Sequence, residues 1–129
     1  MKNLLQTLCG LFLVVFYSSC MNSGDNRVDV LIVGGGASGV TSGIQAARMG
    51  ANTLILEETT WLGGMLTSAG VSAVDGNYRL PAGLWGEFKN RLSDYYGGLD
   101  SLKTGWVSNV LFEPSVGNKI FHEMVSAEK

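Results

Sequence analysis

Residues Val28 to Glu57 read VDVLIVGGGASGVTSGIQAARMGANTLILE, and their order decides the fold. Val28 to Val33 alternates only briefly, at Asp29, before becoming a continuous apolar run, as suits a parallel strand covered on both faces. Gly34 stops it. The next six residues, Gly34-Gly35-Gly36-Ala37-Ser38-Gly39, fit the spacing G-x-G-x-x-G. In that pattern the first glycine makes a tight turn, the second lets a pyrophosphate approach the backbone, and the third lets the helix pack closely on the strand. From Val40 to Met49 the apolar residues Val40, Ile44 and Ala47 recur at helical spacing, with Gln45 and Arg48 on the other side. Gly50 is placed to end the helix as a left-handed cap. Thr53 to Leu56 reads as a second strand, and Glu57 follows it at about the 20-residue distance from the turn that such units carry.

Strand, glycine turn, helix, cap, strand and terminal acid all fall in register, which makes this a Rossmann-like βαβ unit of the α/β class that binds a dinucleotide. The amides at the start of the helix face the phosphates and carry the positive end of its dipole, and Ser38 can add a hydroxyl donor. Glu57 is placed to accept hydrogen bonds from the adenosine ribose. The adjacent Glu58 doubles the negative charge, repels a 2′-phosphate and so argues against NADP. The cofactor-binding candidates of the unit are Gly34, Gly36, Ala37, Ser38, Gly39 and Glu57.

Beyond the acid, Thr60 to Gly76 reads TWLGGMLTSAGVSAVDG and brings a second glycine pair, Gly63-Gly64, within a few residues. With the GGGASG turn and LILE, this stretch resembles the FAD-dependent oxidoreductases of the glutathione-reductase-like fold. More narrowly, it is similar to a bacterial subgroup, often exported, that carries a Leu-Gly-Gly-Met-Leu-Thr-like sequence. The resemblance runs over nearly all of Asp29 to Ala127 and implies FAD as the cofactor. It further implies that Gly63 and Gly64 let backbone amides approach the pyrophosphate or the flavin end, with Met65 and Thr67 nearby. A plain glycine turn leading into a buried segment is the competing reading. An NAD-dependent dehydrogenase is the alternative enzyme, and the second glycine pair disfavours it.

The remaining motifs read as structure. Asp75-Gly76 is a hairpin-type turn dipeptide. Pro81, then Leu84, Trp85, Phe88, Leu92 and Tyr95, predict an amphipathic helix with an aromatic core face, ended by Gly97-Gly98. Leu99 to Phe112 is irregular, with a turn at Thr104-Gly105. Glu113-Pro114-Ser115 opens another helix, with Val116, Ile120, Phe121 and Met124 on its apolar face. His122, the one histidine, has no second ligand at metal spacing and reads as a surface residue. No residue presents itself as a catalytic acid, base or nucleophile, and no metal site is expected.

Nine Lys plus Arg against eleven Asp plus Glu give a net charge of -2, which leaves no basic surface for nucleic acid. Eighteen glycines show no fixed period, so collagen-like and linker-like readings fail. Met1 to Cys20 has Lys2, an apolar run from Leu4 to Tyr17 and the pair Ser18-Ser19, the three-part layout of an export signal. The run is shorter than the roughly 20 residues that span a bilayer. Small residues before Cys20 resemble the bacterial lipoprotein signal, with Cys20 as the lipidated residue and Tyr17 departing from the usual pattern. Cys9 would leave with the signal, so no disulfide partner remains. Residues 21–26 read as a polar tether and 27–129 as the N-terminal part of an FAD-binding domain.

The expectation is therefore an exported FAD-dependent oxidoreductase of the periplasm or cell envelope, anchored to the membrane by lipid. Without a twin-arginine pair, export unfolded and FAD acquisition outside the cytoplasm are expected. Two parallel strands do not make an open sheet covered on both faces, so the domain reads as incomplete and the chain as the first part of a longer enzyme. A membrane-tethered, non-catalytic remnant is the alternative from a different class.

Overall fold

The computed structural model describes residues 27–106 and 108–128. The signal, the tether and Cys20 lie outside the described residues. The element order is β1 (Val30–Val33), α1 (Ala37–Arg48), β2 (Thr53–Leu56), α2 (Gly83–Tyr96) and α3 (Pro114–Ser126), with 3-10 turns at Gly64–Leu66 and Leu99–Leu102. β1 and β2 pair in parallel, with Val30 opposite Thr53 and Val33 opposite Leu56. The chain is thus α/β, with the parallel strand pair and crossover helix of a Rossmann-like unit.

Helix α1 lies on one face of this pair. Val40 and Ile44 are fully buried there, and Gly43 is the point of closest approach. A Cβ on Gly43 would stand 2.6 Å from Ile55 Cδ1 and 3.3 Å from Ile32 Cδ1. Met49 caps the helix and Gly50 follows with φ +89°, the left-handed exit that the sequence implied. Among the described residues the strands are covered on one face, not on both as the apolar run of β1 implied. Side chains alternate along a strand, and Leu31, Val33, Leu54 and Leu56 all point away from α1 and are exposed, Val33 by 81%. No described element covers that face. A continuous apolar run announces a strand but does not say what covers each of its sides.

The larger core lies between α1, α2 and α3. Pro114 occupies the first turn of α3, and Val116, Ile120, Phe121 and Met124 are all buried. Phe88 of α2 stacks on Phe121 with ring centroids 4.4 Å apart, and meets Phe112 edge-on at 5.5 Å. Tyr95 departs from the expected core face and is 53% exposed. At the last turn of α2 the neighbouring element is the entry to α3, and Tyr96 faces it, its hydroxyl accepting the Glu113 amide at 3.0 Å. Asp75-Gly76 makes no hairpin; residues there bend, and Ala73 forms an isolated antiparallel bridge with Leu111. The Leu99–Leu102 turn, unforeseen in an irregular stretch, buries Leu102 completely. Arg48 ties the layers together through Glu87 on α2 at 2.9 Å and Glu128 beyond α3 at 2.7 Å.

Candidate functional site

The glycine turn joins the end of β1 to the start of α1. Gly34 has φ +100°, which a side chain disfavours, and its amide donates to the Leu56 carbonyl at 2.8 Å. A Cβ on Gly39 would overlap the Gly34 carbonyl oxygen and approach Ile32 Cγ2. Gly39 therefore lets the first turn of α1 close onto the glycine turn, while the close helix-to-strand packing expected of it falls mainly to Gly43. Gly35 is confined as well, because its Cβ would meet Leu62 Cδ2 at 2.9 Å and the Glu57 side chain at 3.0 Å.

Gly36 is different. Its dihedrals, φ −62° and ψ 173°, are open to any residue, and nothing lies within 4 Å of the position a Cβ would take. Neither backbone conformation nor packing requires glycine there. What its absent side chain leaves is bare backbone facing open space at the N-terminal end of a 12-residue helix. The first amides of α1, those of Ala37, Ser38 and Gly39, are donors that an α-helix leaves without intrahelical partners. Ser38 is exposed, and no side chain caps the helix.

Glu57 closes the other side of the turn. Its Oε2 accepts the Gly35 amide at 2.6 Å, and its Oε1 accepts the Thr59 amide at 3.1 Å with the Thr59 hydroxyl at 3.2 Å. These bonds, the one from Gly35 foremost, hold the carboxyl below the usual glutamate range. Glu57 is thus a carboxylate held in place by the donors of the turn itself. Beside it, Val33, Gly34, Leu56, Glu57 and Glu58 line a cleft of about 460 Å³ at the carboxyl ends of both strands. That is where open α/β sheets take their ligands.

The second glycine pair sits directly against the first. The Gly63 amide donates to the Gly35 carbonyl at 2.7 Å, and a Cβ on Gly64 would stand 3.0 Å from Gly36 Cα. Gly63 has φ +107°, and a Cβ on it would meet the Phe121 ring at 2.6 Å and Thr67 Cγ2 at 2.8 Å. Thr67 is buried, its hydroxyl donating to the Leu62 carbonyl at 2.6 Å, so it braces this turn from below. Met65 is 68% exposed beside the pair.

The structure thus brings together Gly34, Gly36, Ala37, Ser38, Gly39 and Glu57 with Gly63, Gly64 and Met65. Sequence reasoning passed over Gly35, which the motif treats as any residue, and Thr59, whose placement two residues beyond the acid was the available signal. It also passed over Asn118, whose Oδ1 accepts the Leu62 amide at 2.8 Å across 56 residues of chain. His122 is exposed as expected, yet one ring nitrogen lies 3.1 Å from the Thr60 carbonyl.

Parallel strands, a glycine turn with one glycine that the fold does not require, and an acid at the end of β2 define a dinucleotide-binding protein. The sequence model of the family described as FAD dependent oxidoreductase matches residues 29–129, and the chain belongs to that family. Its cofactor is accordingly FAD, and the family's chemistry is oxidation and reduction. No curated protein and no solved structure gives a significant match.

Proposed function

We propose that this chain grips the ADP half of FAD, with the pyrophosphate over Gly36 and the first amides of α1 and the ribose at Glu57. Gly36 carries the reading, because its bare Cα is unexplained by the fold and fits a ligand that approaches the backbone. The Glu57 carboxylate accepts a hydrogen bond from one ribose hydroxyl, while its bond to the Gly35 amide keeps the turn in shape. Exposed Glu58 beside the cleft sets a negative potential against a 2′-phosphate. The flavin supplies the redox chemistry when bound; these residues bind and orient it. Competition separates this from a nicotinamide-type site. ADP is expected to displace FAD from the full chain, and 2′-phosphorylated ADP to do so at least about tenfold more weakly, a difference of roughly 1.4 kcal/mol. Equal competition by the two, or preferential binding of NAD, would overturn the assignment.

The same proposal includes export. The layout of residues 1–20 supports a cleaved signal, with Cys20 as a lipid-carrying first residue, 21–26 as the tether and 27–129 as the cofactor-binding region in the cell envelope. Fractionation of producing cells tests it. The natural chain is expected with the membranes and the Cys20→Ser variant away from them; recovery of both in the cytoplasm would end the reading.

A further inference from the structure

The second glycine pair reaches its place through contacts made by α3, and none of them belongs to the glycine motif. Leu62, the residue before Gly63, donates its amide to Asn118 Oδ1 at 2.8 Å. Because the donor is a backbone N–H, the Asn118 atom that faces it must be the amide oxygen. One turn further along α3, a His122 ring nitrogen stands 3.1 Å from the Thr60 carbonyl. The Phe121 ring lies under Gly63, close enough to exclude a Cβ there. Three of the four positions from 60 to 63, all but Trp61, are thereby registered against one helix face.

That registration passes directly into the cofactor turn. With Leu62 held, the Gly63 amide reaches the Gly35 carbonyl at 2.7 Å, and Leu62 Cδ2 takes up the space beside Gly35 that a side chain would need. Gly35 in turn gives its amide to Glu57. A displaced Leu62 would therefore disturb both carbonyl and amide of the residue between Gly34 and Gly36.

We infer that Asn118 is a positioning residue for the cofactor site: through the Leu62 amide it fixes the second glycine pair against Gly35 and Gly36, without itself touching FAD. The inference rests on the cofactor placement proposed above for its effect on FAD, but its geometric half stands alone. Two measurements on the full chain separate them. In the apoprotein, Asn118→Leu, which keeps the size and removes the acceptor, is expected to speed amide hydrogen exchange at Leu62 and Gly63 by about tenfold or more relative to amides in α1, while Asn118→Asp restores protection because a carboxylate still accepts. In FAD titrations the leucine variant is expected to bind about tenfold more weakly, corresponding to roughly 1.4 kcal/mol, and the aspartate variant within about threefold of the natural chain. A merely structural role would lower the unfolding midpoint of both without this split. Unchanged exchange at Leu62 and Gly63 in Asn118→Leu overturns the inference whatever FAD does. Altered exchange with unchanged FAD affinity overturns its functional half. Altered exchange in Asn118→Leu beside a natural chain that binds no FAD upholds the geometry and refutes the cofactor placement instead.

Discussion

Gly36 and Gly63 face each other across one parallel bridge, yet they are glycine for opposite reasons. Gly36 has dihedrals that any residue adopts and open space where a side chain would go, whereas Gly63 has φ +107° and the Phe121 ring at its back. Nothing in the fold asks for glycine at the first position, whereas the chain itself requires it at the second. A motif that scores both alike conceals this, and the difference tells which substitution should harm binding and which should harm folding.

Gly63→Ala is expected to have the largest effect, a loss of about 2–4 kcal/mol of stability in the apoprotein, since it combines a left-handed backbone with an overlap against a packed ring. Denaturant unfolding measures it, and a loss below about 0.5 kcal/mol would break the comparison from the folding side. Gly36→Ala should do the reverse. Its apoprotein loses less than about 1 kcal/mol, the cost of alanine at a helix N-cap, while FAD affinity falls about tenfold or more.

Gly43→Ala sharpens the contrast at a third position, where the fold again excludes a side chain but the nearest atom is the flexible end of Ile55. About 1 kcal/mol of stability is expected to go there, with no change in FAD affinity beyond what that explains. The smallest effect is that of pH. Because the folded Glu57 carboxyl is held below its ordinary value of 4.5, its contribution to stability is present above that value and is lost as the pH falls through the lowered one. The stability difference between the natural chain and Glu57→Gln should therefore shrink on acidification below about pH 4.5. A difference that grows instead would remove Glu57 from the turn.

Much of the unit was legible because its signals are local. β2 falls on Thr53–Leu56 as the sequence implied, α1 ends before Gly50, and α3 begins at Pro114 with its whole apolar face buried. What escaped is set by contacts distant in sequence. Nothing near Asn118 announces that it will meet Leu62, and nothing near Gly63 announces Phe121. The exposed row of Leu31, Val33, Leu54 and Leu56 escaped for a related reason, since apolar residues signal a strand irrespective of what lies over them. Tyr95 and Tyr96 are a narrower case, in which helical spacing alone chose the wrong neighbour at the end of α2.

The most direct measurement is an FAD titration of the folded natural chain beside folded Gly36→Ala, followed by flavin fluorescence with circular dichroism as the check on folding. Saturable binding to the natural chain is expected, weakened about tenfold or more in the variant at nearly unchanged stability. Equal FAD affinity in the two, or no binding by a natural chain that is demonstrably folded, would contradict the assignment of Gly36 to the cofactor.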